Sequence, residues 1–189
     1  MVRRGGRVTL PDGSEITWSV ADGRRGRRWR TATTRDGRLQ ASLLLEVGAD
    51  GRPARLELST AAGLLTLHPE AGESLHGNAV TPGGVRHLSF DWSEDHGLEI
   101  DANRVPTAVT AGRLASTTPA GEGRAVPVVV IRDDLVVRTA GRRFEQVGGP
   151  GSWQVTGDGQ TTLLALDADG LPVWPQPAED WPLELDEDG

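Results

Sequence analysis

The chain predicts an all-β protein: a strongly curved antiparallel sheet or β-barrel of about a dozen short strands, enclosing an apolar cavity, with one short helix or loop insert. Three observations carry this. Asp-Gly occurs seven times, beginning at residues 12, 22, 36, 50, 158, 169 and 188, and this dipeptide is the strongest short-range hairpin signal because type I′ turns need positive φ at both central residues. The segments between these turns are strand-length, and several alternate in polarity. Their spacing of about 8–12 residues is that of a sandwich or barrel, and no fixed-length repeat points to a solenoid.

The elements follow in order. VTLPDGSEITW (Val8–Trp18) reads as an N-terminal hairpin, and GRRGRRWR (Gly23–Arg30) as a solvated loop leading into a strand. LQASLLLEV (Leu39–Val47), RLELST (Arg55–Thr60), LLTLH (Leu64–His68), SLHGNAV (Ser74–Val80), VRHLSFDW (Val85–Trp92) and LEID (Leu98–Asp101) are the next strands. From Val105 to Ala115 the threonine, valine and glycine content leaves weak helix and loop both open. Strands resume with VPVVVIR (Val126–Arg132), LVVRT (Leu135–Thr139), RRFEQV (Arg142–Val147), SWQVT (Ser152–Thr156) and TTLLALD (Thr161–Asp167). Pro172 confines LPVW to an edge strand, since proline cannot donate to a central ladder. Pro175 and Pro177 end it, and Trp174 and Trp181 are expected to form a clasp, with ligand contact as a secondary role. No composition break divides the chain, so residues 1–189 are expected to form one barrel-like domain.

Composition narrows the chemistry. Cysteine, lysine and tyrosine are all absent, which removes thiolate metal sites, cysteine nucleophiles, Schiff bases and tyrosine acids. The four histidines, His68, His76, His87 and His96, have no close metal-ligand spacing, so no metal is expected. GPGSWQ around Ser152 lacks the far glycine of a nucleophile elbow, and GGPG (Gly148–Gly151) is a turn with no helix behind it. No cofactor motif is present, and none is expected. Residues 1–38 hold ten arginines against four acids, and the remainder ten against 23. A net charge of −7 argues against nucleic acid as partner. With no apolar run long enough to span a bilayer and no secretory stretch at the N-terminus, the expectation is a cytoplasmic protein without an integral membrane segment.

Alternation in VRHLSFDW places Arg86, Leu88, Phe90 and Trp92 on one face and Val85, His87, Ser89 and Asp91 on the other. With His96–Gly97 in a turn, this strand and LEID would form a hairpin whose Phe90/Trp92 face lines the cavity. His87, Asp91, Glu99 and Asp101 are then expected in water. A carboxylate inside the cavity instead would have a raised pKa and serve as an acid or base. The ligand-binding candidates are Arg86, Phe90, Trp92, Arg113, Trp153 and Trp174. Arg86 would meet an anionic ligand head, with Arg104, Arg113 and Arg132 as weaker candidates. Tryptophan offers a broad apolar face and one donor, which suits Trp92 and Trp153 to a cavity wall or equally to a core plug. No catalytic residue is assigned.

The stretches LSFDWSEDHGLEIDANRVPTAVTAGRL (Leu88–Leu114), GRRFEQVG (Gly141–Gly148) and TLLALDADGLPVWPQP with Trp181 together resemble the putative glycolipid-binding family of bacterial proteins. The likeness spans Arg55 to Trp181. It implies a curved antiparallel sheet, similar to lipoprotein-carrier domains, around an apolar groove. The chain departs from the family after the threonine-rich loop, where only Arg113 and Leu114 match, and in its N-terminal hairpin.

Two functions are expected from these readings. The first is binding of an amphipathic, mostly apolar small molecule, glycolipid-like or polyketide-like. The alternative is a cofactor-independent cyclase or isomerase of natural-product biosynthesis, which would act by positioning its substrate.

Overall fold

The structure is a computed structural model, and it describes residues 3–10, 12–70, 73–101, 103–119 and 121–173. It is all-β with one short helix, in two compact units. One unit runs to Glu94 and includes the Arg132–Val136 turn; the other holds Asp95–Ile131 and the chain from Val137 onward.

The first unit is a meander of eight antiparallel strands in chain order: β1 (Arg3–Thr9), β2 (Glu15–Gly23), β3 (Gly26–Arg35), β4 (Arg38–Gly48), β5 (Pro53–Thr60), β6 (Gly63–Glu70), β7 (Ser74–Thr81) and β8 (Gly84–Asp91). Of the Asp-Gly signals in this unit, Asp36-Gly37 makes the expected type I′ turn, whereas at Asp12-Gly13 and Asp50-Gly51 only the glycine has positive φ. Asp36 and Gly37 both have positive φ, 51° and 71°, and make the two-residue turn between β3 and β4. Asp22-Gly23 is not itself the turn. It ends β2, the turn centres on Arg24 and Arg25, and Gly26 (φ 124°) follows where a Cβ would strike the Val47 carbonyl. The basic run is therefore a tight turn and a strand: Arg27 returns to Asp22 at 2.7 Å, Arg28 reaches Glu46 at 2.5 Å, and Trp29 is buried.

Pairing register sorts the side chains of this sheet onto two faces. Trp18, Thr31, Leu43, Leu58, Leu65 and Ala79 form one cross-strand row, and Val20, Trp29, Leu45, Leu56 and Leu67 its neighbour; all are buried. Gly77 continues the second row between Leu67 and Leu88. A Cβ there would run into the Thr66 carbonyl and lie 2.7 Å from Leu67 Cδ2, so Gly77→Ala is expected to cost about 1–3 kcal/mol through overpacking. Urea unfolding of the variant beside wild type checks this, and an unchanged midpoint would contradict the close packing.

The second unit is a curled six-stranded half-barrel with strand order β14-β13-β12-β11-β10-β9: β9 (Gly97–Ile100), β10 (Gly123–Ile131), β11 (Val137–Gln146), β12 (Ser152–Gly157), β13 (Gln160–Leu166) and β14 (Pro172–Val173). Val137–Thr139 of LVVRT and Arg142–Gln146 of RRFEQV lie in one continuous strand, β11, because the glycine between them (Gly141) pairs in register with Pro127 rather than turning, while Leu135 and Val136 belong to the turn before it. Pro172 does lie in an edge strand. Asp167 Oδ1 accepts from the amides of Asp169 and Leu171 and shapes the turn before it. Trp174 and Trp181 fall outside the described residues.

The helix left open by the sequence is formed: α1 (Val105–Leu114), with Pro106 in its first turn and Asn103 Oδ1 accepting from the Val105 amide. Its propensity is weak, and burial supplies the stability. Ala108, Ala111 and Leu114 pack with Val126, Val128, Val130, Phe144 and Trp153 in one cluster. Gly97 lets the helix approach β9 closely, since a Cβ there would sit 2.6 Å from Thr110 Oγ1.

The expected hairpin of VRHLSFDW and LEID does not form. Among the described residues β8 pairs only with β7 and ends its sheet, while β9 runs parallel to β10, with Leu98 opposite Val129. A parallel neighbour needs a crossover connection, and α1 with its flanking loops provides one. His96–Gly97 therefore leads into a strand and is not the tip of a hairpin.

Candidate binding groove

On the other face of β2 to β6 the described residues are half-buried or exposed, and this face is open among them. Across β2 to β6 it holds a groove of roughly 490 Å³, bordered by Thr17, Ser19, Arg30, Ala32, Ser42, Leu44, Glu57, Ser59 and Leu64. These residues alternate with Trp18, Thr31 and Leu43, which border the groove but belong to the buried rows. Register explains why they meet. Thr17 lies opposite Ala32, Ala32 opposite Ser42, Ser42 opposite Ser59, and Ser59 opposite Leu64. One step along, Ser19 lies opposite Arg30, Arg30 opposite Leu44, and Leu44 opposite Glu57. Each strand thus contributes one or two groups to two adjoining rows that cross the sheet.

Charge is distributed unevenly over this face. Arg28 is held by Glu46, and Arg55 by Glu57. Arg30, between them in sequence, has no carboxylate partner among the described residues. The hydroxyls of Ser19, Ser42 and Ser59 likewise bond to no side chain or carbonyl among the described residues. The groove therefore offers one cation and three hydroxyls interleaved with Ala32, Leu44 and Leu64. Such a surface can hold a molecule that is part polar and part apolar.

The residues selected from sequence lie elsewhere. Arg86 is on the face shared with Leu88 and Phe90, as alternation required, opposite Ala79. Its Nη2 donates to the Leu135 carbonyl at 2.7 Å, so it holds the Arg132–Val136 turn, in which buried Leu135 has φ 61°. Thr60 Oγ1 ties the same turn through the Asp133 carbonyl at 2.8 Å. Phe90 is half-buried, and Trp92 is buried with its amide on the Glu73 carbonyl. Arg113, in the last turn of α1, donates to the carbonyls of Asp95 and His96 at 3.2 and 3.0 Å. Trp153 is a core residue of the second unit. None of these borders the groove.

Of the carboxylates and histidine considered for acid–base work, His87 and Asp91 are exposed. Glu99 is not simply in water: it receives Nε and Nη2 of Arg142 at 2.7 and 2.9 Å on the packed face of the half-barrel. Arg142 Nη2 also reaches Asp158 at 2.9 Å, and Arg138 joins Asp158 at 2.8 Å. Gly157 leaves room for the Arg142 side chain, which a Cβ would displace. His68 and His76 face each other across β6 and β7 with Glu70 between them, at 3.4 and 3.8 Å. Among the described residues no group of three histidine or carboxylate side chains is arranged to hold a metal ion.

Comparisons with known proteins add a fold likeness. No family model matches the chain, and no curated protein matches it. The crystal structure of a DUF1089 family protein from Pseudomonas aeruginosa is similar, with a TM-score of 0.56 and 14% identity over 93% of this chain and 90% of that one. At that identity the likeness speaks for the fold. No helix among the described residues is long and apolar enough to cross a membrane.

Proposed function

We propose that the protein binds an amphipathic, mostly apolar small molecule in the open-face groove of β2 to β6. The observation that carries this reading is the set of polar groups without partners among the described residues, Ser19, Arg30, Ser42 and Ser59, interleaved with Ala32, Leu44 and Leu64 along two cross-strand rows. Polar groups on an ordinary strand face tend to pair with neighbours on that face, as Arg28 does with Glu46 across the strands and Arg55 with Glu57 along its own strand. The resemblance of Leu88–Leu114 and Gly141–Gly148 to the glycolipid-binding family agrees with a ligand of this class. Openness favours binding over cyclisation, because catalysis by positioning gains from a site that closes over the substrate and expels water.

Native mass spectrometry of the protein purified from its own host tests the reading, with Ser42→Trp as the groove-filling variant. The expected result is a ladder of amphiphile adducts on wild type that Ser42→Trp loses. Adducts that survive Ser42→Trp would overturn the groove. A single defined polyketide-like adduct would favour the cyclase instead.

A further inference from the structure

We propose that the ligand carries an anionic head, a carboxylate or phosphate, held at Arg30, with its apolar chain laid across the open face toward β8. This rests on the groove reading above and adds the ligand's charge and direction to it.

The head is placed by charge complementarity. On the open face of β3 to β5 the arginines are Arg28, Arg30 and Arg55; Glu46 lies opposite both Arg28 and Arg55, and Glu57 lies two residues along β5 from Arg55. Two of the three cations are neutralised by those acids. Arg30 is left with a full positive charge, with the Ser19 hydroxyl directly opposite it on β2. Guanidinium matches carboxylate and phosphate geometry, and a neighbouring hydroxyl adds a donor to the same oxyanion. A neutral sugar head would leave this charge unanswered.

The chain direction comes from a second observation. Of the exposed large apolar residues, Leu64, Val80 and Val85 are cross-strand partners in a single row. That row continues the Ala32–Ser42–Ser59–Leu64 row of the groove across β7 to the edge strand β8. At about 4.8 Å per strand, the path from Arg30 on β3 to Val85 on β8 is roughly 24 Å. Exposed apolar side chains usually lie singly, and three in line with a groove mark a continuous contact surface.

Calorimetric titration with decanoate, decyl phosphate and decyl maltoside, each below its critical micelle concentration, tests the inference on wild type, Arg30→Gln and Ser42→Trp. Wild type is expected to bind both anions ~5-fold or more tightly than the maltoside at low salt. Arg30→Gln should bring all three to within about twofold of one another while the fold, read by circular dichroism, is unchanged. Lengthening the anion's chain should tighten binding roughly twofold per added CH2, since only one side of the chain is covered. If wild type binds all three alike and Arg30→Gln changes nothing while Ser42→Trp abolishes binding, the anionic head is overturned and the groove stands. If no probe binds, or Ser42→Trp has no effect, the groove reading fails and this inference with it.

Discussion

Trp153→Ala is expected to lower stability by about 3–5 kcal/mol, the usual range for removing a large aromatic side chain from a packed interior. Trp153 is 1% exposed and belongs to the cluster that α1 forms with β10 to β13. Its cross-strand partner Leu164 is buried with it. The indole Nε1 has no hydrogen-bond partner among the described residues, which makes a second substitution informative. Trp153→Phe removes the unpaired N–H along with part of the ring, and losing an unsatisfied polar group offsets part of the lost packing. The expected cost is below ~2 kcal/mol. Urea unfolding followed by circular dichroism measures both. If phenylalanine costs as much as alanine, the N–H is bonded and Trp153 is more than a space-filling residue.

Arg142→Met is expected to be nearly as harmful, at about 3 kcal/mol, because it strands a carboxylate on the packed face. Arg142 is 7% exposed and Glu99 23%, and methionine keeps the aliphatic stem while deleting the charge. The two hydrogen bonds to Glu99 are parallel and fork-like, so Arg142→Lys should recover only part of the loss. The pairing also has a pH signature. Hydrogen bonds from Arg138, and then from Arg142, hold the Asp158 carboxyl below its ordinary value. A carboxylate with a lower pKa in the folded state stabilises fully above its unfolded pKa, and that contribution fades as pH falls through the folded one. Asp158→Asn should therefore flatten the acid limb of a stability–pH profile. Asparagine tolerates the positive φ of 51° at this turn position, so the backbone is left undisturbed. An acid limb unchanged by Asp158→Asn would place the pH dependence on other groups.

Much of the strand pattern was legible because hairpin chemistry is local. Asp36-Gly37 and Asp158-Gly159 turn where the sequence placed turns, since positive φ at two successive residues is tolerated by few dipeptides. Alternation assigned Arg86, Leu88 and Phe90 to one face of β8, and the register agrees. The Asp22-Gly23 turn was misplaced by two residues because Gly26 offered a competing positive-φ position next door. The β8–β9 hairpin was misread for a different reason. Nothing local in LEID distinguishes an antiparallel neighbour from a parallel one, and its partner β10 lies beyond α1 in the chain.

The groove was not legible as a site. Ser42, Leu44, Glu57 and Ser59 sit in segments recognised as strands, but which of them face each other depends on register between strands. From sequence Arg30 reads as the end of a basic loop, and its distinction, the lack of a carboxylate partner among the described residues, exists only once Glu46 and Glu57 are assigned to its neighbours. The same holds for Arg142, an arginine in a strand until Glu99 arrives from β9 and Asp158 from the turn between β12 and β13.

By itself, then, the sequence determined the all-β class, most strand positions, the tight turns at Asp36-Gly37 and Asp158-Gly159 and the side-chain alternation, because these follow from backbone preferences over a few residues. Tertiary structure decided the division of the strands into two sheets, the parallel β9–β10 pair, the stability of a weak helix, and the identity of the groove. Those depend on long-range pairing, where contact geometry and burial outweigh local propensity.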